Sequence, residues 1–282
     1  MGTWISSIIK GEKQWKKLGI RLLALTLLAT VATGCASSKQ ENTWDKIKEK
    51  KEIVIGTEGT FAPFSYHDDN DNLVGYDVEV SRALAKELGV KVKFVEVKWD
   101  SLIAGLDSDK YDLVTNQVAI TAERKKKYDF SIPHTYSYPA IITKKDNTEI
   151  TKMSDIKGHK FSQTGSSNFS KIVEKHKGEI VATNDWNENV SLVEQGRVDG
   201  TVNDTLAYYD LVNKKPDTDL KIAAQGKEVS EQAFIFNKGQ DDLKKNVDKA
   251  LKSLKKSGKL AEISNKYFKT DVSHKWVQEL SK

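Results

Sequence analysis

Apolar and polar positions fall in blocks along most of the chain, and the blocks predict strands and helices in turn. Glu52–Gly56 (EIVIG) is a short apolar run of strand length. Phe64–Tyr66 and Leu73–Tyr76 read as two further strands around the polar turn Asp68–Asn72. Helical spacing follows: Val80, Leu84 and Leu88 recur at every fourth position, with Asp77 offering an N-cap and Gly89 a stop. Val92–Val97 predicts a strand, Ser101–Leu106 a helix capped by Asp100, and Asp112–Asn116 the next strand. Strands that alternate with helices in this order argue for a largely parallel sheet covered by helices.

A second series begins near Ile141. Lys160–Ser162, Glu179–Ala182 and Asp199–Val202 read as strands, and Phe169–His176, Asn187–Gln195 and Thr205–Val212 as the helices after them. Ala233–Asn237 adds a strand, and two helices, Asp241–Ser257 and Leu260–Phe268, close the series on either side of Gly258. Two α/β series of similar size predict an α/β protein of two lobes with a cleft between them.

The beginning of the chain has a different character. Basic residues from Lys10 to Arg21 precede the apolar run Leu22–Val31, which has the length of a signal-peptide core and is short for a bilayer of about 30 Å. It ends in Ala32-Thr33-Gly34-Cys35, which resembles a bacterial lipobox, although Ala32 stands where Leu is usual. The resemblance implies diacylation of the Cys35 thiol and cleavage before it. Residues 1–34 would then be a lipoprotein signal peptide, and 35–43 a polar tether on the outer face of the membrane.

Composition narrows the function classes. Of 282 residues, 6 are Trp, 9 Tyr and 9 Phe, too much buriable surface for a disordered chain. One Cys excludes an internal disulfide and a multi-Cys zinc site. The net charge of +5 comes mostly from residues 1–34, where five basic residues face one acid. The remaining 40 basic and 39 acidic residues nearly cancel, so no nucleic-acid partner is expected.

Catalytic motifs are missing. The five His (67, 134, 159, 176 and 274) show no ligand spacing, and no nucleophile elbow, phosphate loop or dinucleotide fingerprint is present. Asp68, Asn70, Asn72 and Glu79 mimic a calcium loop, but Leu73 occupies the position that requires Gly. No metal, cofactor or catalytic residue is expected. The informative stretch is Asn116–Arg124 (NQVAITAER), which follows a strand and opens a helix capped by Thr121. Helix-start N–H groups favour an anion, and Arg124 adds a fork that fits a carboxylate. Asp204, or Glu58, could face an ammonium. The plainer alternatives make Arg124 a solvated charge beside Lys125–Lys127 and Asp204 an ordinary N-cap. Phe61 and Trp99, in loops after strands, tip the balance, because open α/β sheets bind ligands there. The loop Gln163–Asn168 is the equivalent place in the second series, and its small residues let backbone N–H groups approach a carboxylate.

The stretches GTEGTFAPFSY, LVGYDVEV, KWDSLIAGL, NQVAITAERKKKYDFS, QTGSSNF and GRVDGTVND resemble the bacterial extracellular solute-binding proteins of family 3, the polar-amino-acid receptors of ABC importers. The resemblance runs from about Ile53 to Phe268, and within the family the chain looks most like the L-cystine-binding lipoproteins. It implies a type II periplasmic-binding-protein fold, with lobe one over 44–139 plus 234–282 and lobe two over 140–233. Hinge strands would lie near Ala140–Thr143 and Ala233–Asn237. It also implies a set of ligand contacts. Arg124, the Ala119 backbone and the Gly165-Ser166-Ser167 loop would hold the α-carboxylate. Asp204 and a carbonyl of Gln117 would hold the α-ammonium, with Phe61, Trp99 and Glu58 around the side chain. Ala119 departs from the Ser or Thr of many relatives, which leaves only its backbone. The expected protein is a lipid-anchored, extracytoplasmic monomer that closes on an amino acid and docks a permease and its ATPase. Cystine is the first choice of ligand, and histidine, arginine or glutamine the alternative. An enzyme on the same fold, such as a small-acid dehydratase, or an adhesin are the readings from other classes.

Overall fold

The structure, a computed structural model, describes residues 42–275. The expected signal peptide and Cys35 lie outside the described residues. Asn42 and Thr43, read above as the end of a tether, instead begin a helix. Thr43–Lys50 is helical, and the Asn42 side chain accepts the Trp44 N–H at 3.0 Å.

Two five-stranded sheets carry the fold. In the first, the order is Lys91–Glu96, Glu52–Thr57, Leu113–Val114, Ile235–Asn237, Tyr128–Phe130, of which the first three run parallel. The last two are antiparallel to their neighbours. In the second, the order is Glu179–Thr183, Lys160–Thr164, Gly200–Asp204, Pro139–Lys144, Leu220–Gln225, again with the first three parallel. The two-lobed α/β architecture expected from the sequence is therefore present.

Each sheet is covered by helices whose apolar faces are legible in the sequence. Val80 and Leu84 of the helix Tyr76–Leu88 pack with Leu243, Val247 and Leu251 of Asp241–Lys256, all of them buried. On the other face, Leu102 and Leu106 of Trp99–Asp107 pack with Tyr111 and Val114. The Tyr111 ring lies so close to Gly56 that a Cβ there would sit 2.7 Å from it, which explains a glycine inside that strand. In the second sheet, Phe161, Ile141 and Val202 pack with Val173 of Asn168–Lys175. Trp186, Val190 and Val193 belong to a cluster that also includes Phe61 and Phe64 from the first half.

The chain crosses between the sheets through a two-stranded ribbon. Thr135–Ser137 leads out, Ser230–Gln232 leads back, and they pair antiparallel with Thr135 opposite Gln232. The hinge strands expected near Ala140–Thr143 and Ala233–Asn237 are thus displaced. Those apolar runs are core strands, one in each sheet, while the crossing strands (TYS and SEQ) carry no apolar alternation to announce them.

Two expected helix caps also move. The helix expected to start after Asp77 begins at Tyr76 with Gly75 at the N-cap. Asp77 points inward and is wholly buried. Helix Trp99–Asp107 starts one residue before Asp100, leaving the Asp100 carboxylate free to bond elsewhere. The calcium-like turn is held by Asp68 itself, whose Oδ1 accepts the N–H groups of Asn70 at 3.0 Å and Asn72 at 2.9 Å.

Candidate functional site

The parallel strands of both sheets end at one cavity. From the first sheet, Glu58 and Phe61 follow the strand Glu52–Thr57, Asn116, Gln117 and Ala119 follow Leu113–Val114, and Trp99 follows Lys91–Glu96. From the second, Thr164 and Ser167, Asp185 and Trp186, and Asn203 and Asp204 stand at the ends of the three parallel strands. Carboxyl ends of parallel strands are where open α/β sheets take ligands. The space open to the centres of water-sized molecules is about 50 Å³, several times what one water needs.

Seven of the ten expected ligand residues line it: Glu58, Phe61, Trp99, Gln117, Ala119, Ser167 and Asp204. Arg124, Gly165 and Ser166 do not. Arg124 is half-buried against the wall from behind. Its Nη1 donates to the Ala119 carbonyl at 3.0 Å and its Nη2 to the Ser166 carbonyl at 3.4 Å. Its Cζ lies 5.5 Å from the centre of the Trp99 ring, a cation–π contact. These partners are carbonyls and a ring face, not a carboxylate. Burial pulls the guanidinium pKa down to about 10, the mark of a charge short of a counter-ion. The helix N-terminus expected to help it is slight: Ala122–Lys127 is a short helix, and Thr121 Oγ1 already accepts the Arg124 N–H at 3.1 Å. The anion-holding capacity sits in the guanidinium.

Ser166 turns away from the cavity for a definite reason. Its N–H and Oγ donate to Asp100 Oδ1 at 2.9 Å and 2.6 Å. The carboxylate from the first half of the chain thus reaches the loop where a ligand carboxylate was expected. Two other polar contacts join the halves beside the cavity. Lys98 Nζ donates to Asn184 Oδ1 at 3.3 Å, and Asn187 Nδ2 to the Thr60 carbonyl at 3.4 Å. These bonds tie the two halves together across the cleft.

Three carboxylates, Glu58, Asp185 and Asp204, stand in the lining among six amide side chains. Asp204 is 2% exposed. Its Oδ1 caps the helix Thr205–Lys214 by accepting the Leu206 N–H at 2.9 Å, and its Oδ2 accepts the Ser137 hydroxyl. It is thus both the N-cap of the plainer reading and a cavity residue. Burial pushes its pKa up to about 6 against the pull of those hydrogen bonds. Glu58 Oε2 accepts from Asn116 Nδ2 at 2.8 Å, and burial pushes Glu58 up to about 7, with Asp185 and Asp100 adding repulsion. Asp185 was not expected. It caps the helix Trp186–Glu194 by accepting the Glu188 N–H at 2.9 Å. A strand, an Asp and then a helix is the same local pattern that drew attention to Asp204, so the signal was available. Trp186, Phe169 and Asn189 complete the wall without a comparable signal.

Two buried polar atoms of lining residues have no partner in the protein: Trp99 Nε1, a donor, and Gln117 Oε1, an acceptor. A buried polar group left alone costs on the order of 1–3 kcal/mol, so a matched pair of orphans in a cavity wall points to a guest with both donors and acceptors.

Comparison with known proteins agrees with this architecture. The family described as bacterial extracellular solute-binding proteins, family 3, matches residues 53–270. The chain belongs to that family. It is 40% identical over 264 residues to the L-cystine-binding protein TcyA of Bacillus subtilis, covering 89% of this chain and 98% of that protein. The unliganded, open L-cystine solute receptor of Neisseria gonorrhoeae is 37% identical with a TM-score of 0.58, covering 82% of this chain and 98% of that one. An ancestral arginine-binding protein bound to arginine is 33% identical with a TM-score of 0.73, covering 77% and 98%.

Proposed function

We propose that this chain is the extracytoplasmic receptor of an ABC importer, that it binds an amino acid, L-cystine first among them, and that it delivers the ligand unchanged to a permease. The observation that carries the reading is the buried carboxylate Asp204 in the cavity wall, together with Arg124, whose guanidinium lies behind the Trp99 side of that wall with carbonyls and a ring face as its partners. An α-amino acid presents the complementary carboxylate and ammonium. Only the closed form offers both at once, so the ligand shifts the population toward closure. Aromatic walls from Phe61, Trp99 and Trp186 suit the polarisable sulfurs of a disulfide. The named relatives that bind cystine support the same choice. Ser167 and the Ala119 backbone would meet the carboxylate, and Glu58 would meet the far end of the ligand. Ser166 and Gly165 would enter only if the Asp100 bond gave way.

A second reading is supported by Asp185. With Glu58 and Asp204 it gives the cavity three carboxylates, which favours a cationic side chain such as that of arginine. We take residues 44–139 plus 234–282 as lobe one, 140–233 as lobe two, and Cys35 as the lipid anchor of a monomer. Titration calorimetry with cystine, arginine, histidine and glutamine tests the proposal. Tight binding of cystine supports it, tight binding of arginine alone selects the second reading, and heat from none of the four overturns both. Mass spectrometry of the bound ligand adds the enzyme test, because recovery of a dehydrated product would replace a receptor by a catalyst.

A further inference from the structure

Behind the cavity wall, one carboxylate grips one residue twice. Asp77 lies in the first turn of the helix Tyr76–Leu88 and is fully buried. Its Oδ2 accepts the backbone N–H of Gln117 at 2.6 Å, and its Oδ1 accepts the side-chain Nε2 of the same residue at 2.8 Å. His134 Nε2 stands 3.3 Å from Oδ1. Gln117 has φ +52, a left-handed backbone uncommon for a residue other than glycine. Its Nε2 also donates to Thr135 Oγ1 at 3.3 Å.

These bonds decide which way the Gln117 amide faces. A carboxylate only accepts, so the amide nitrogen must lie toward Asp77; reversing the amide would set its oxygen against a carboxylate oxygen. Both amide N–H groups are then spent on Asp77 and Thr135, and Oε1 is left as the unpartnered acceptor of a cavity-lining residue. The neighbouring acceptor is partly used up, since Asp204 already takes the Leu206 N–H and the Ser137 hydroxyl. Thr135 and Ser137 project to the same side of the crossing strand, about 7 Å apart at two residues of strand rise. The strand therefore sets the Gln117 amide and the Asp204 carboxylate side by side. An ammonium has three N–H donors and needs acceptors beyond Asp204.

We propose that Asp77 is a positioning residue for ligand specificity: it locks the Gln117 amide so that Oε1 accepts an N–H of the ligand ammonium beside Asp204. The inference rests on the amino-acid reading of the cavity and goes beyond it by assigning the polarity of one contact to a residue that never touches the ligand.

The test is a double-mutant cycle on the full-length chain, with L-cystine as the probe and calorimetry as the readout. Asp77→Asn offers Gln117 a donor, which lets the amide reverse and present Nε2 to the cavity. Gln117→Met keeps the bulk and removes the carbonyl. Each is expected to weaken binding about 10- to 100-fold, the scale of a hydrogen bond to a charged group. The double variant is expected to bind no worse than Gln117→Met alone, because without the amide Asp77 has nothing to orient. Losses that multiply would make Asp77 merely structural and overturn the inference. So would Gln117→Met or Asp77→Asn binding within threefold of wild type. If Asp77→Asn does not fold, judged by circular dichroism, Thr135→Val replaces it in the cycle. It removes the second anchor of Nε2, and the same non-additivity is expected and the same additivity overturns. Failure of the wild-type chain to bind any amino acid would instead sink the functional reading, and it would be seen before any variant is made.

Discussion

Replacing Glu58 with Gln isolates the cost of holding a carboxylate in the cavity wall. Gln has almost the same shape and can still accept the 2.8 Å hydrogen bond from Asn116, so charge is the main change. Glu58 is pushed from 4.5 up to about 7, chiefly by burial. The sign follows from linkage: between about pH 4 and 7 the folded protein holds this proton more tightly than the unfolded chain. The stabilisation is therefore full below the unfolded value and is lost as pH rises through the folded one. At about 1.4 kcal/mol per unit the ceiling is roughly 3 kcal/mol, and solvent relaxation in an unliganded cleft brings the expectation to about 1–3 kcal/mol. For a domain of this size each kcal/mol moves the melting temperature by about 2–4 °C. The assay is thermal unfolding of wild type and Glu58→Gln, both ligand-free, at pH 5.0 and 8.0. The variant should melt higher at pH 8.0, and the gap should narrow strongly at pH 5.0, where wild-type Glu58 is already neutral. Other buried carboxyls cancel in the difference. A variant that melts lower at both pH values, or a gap that does not change with pH, would refute burial as the origin of the shift.

Three further outcomes follow from the same geometry. Asp204, pushed up to about 6, must be ionised to meet an ammonium, so cystine affinity should be flat above pH 7 and about 10-fold weaker at pH 5, as measured by calorimetry; unchanged affinity at pH 5 would exclude it as the counter-ion. Arg124→Met keeps a stem against Trp99 but deletes the charge, and should weaken binding by about 100-fold or more without lowering the melting temperature, because a half-buried guanidinium that makes no ion pair adds little stability. Asp100→Ala removes both bonds to Ser166 and should open the ligand-free cleft, seen as a larger radius of gyration in small-angle scattering and a few-fold weaker binding; an unchanged scattering profile would deny the contact a role in closure.

The sheets and their covering helices were legible because the signals are local. EIVIG, the spacing of Val80, Leu84 and Leu88, and the Asp204–Thr205 start each follow from a few adjacent residues. The crossing ribbon was not, since Thr135–Ser137 and Ser230–Gln232 are short, polar and defined only by pairing with each other. Asp77 and Asp100 were misread as caps for a related reason. Each has the right residue type at a helix start, but its partners, Gln117 and Ser166, are 40 and 66 positions away. Asp185 was overlooked inside the polar run TNDWNEN, although it follows a strand by two residues and caps a helix as Asp204 does. Local chemistry thus locates strand ends and their side chains, whereas tertiary contact decides which of those side chains remain free for a guest.

A crystal structure of the chain grown with L-cystine examines the central claim most directly. The account predicts one molecule in the cavity between the sheets, with an α-carboxylate on the Arg124 guanidinium and the adjacent ammonium on Asp204. A cystine seated elsewhere, or one whose ammonium faces Arg124, would contradict it.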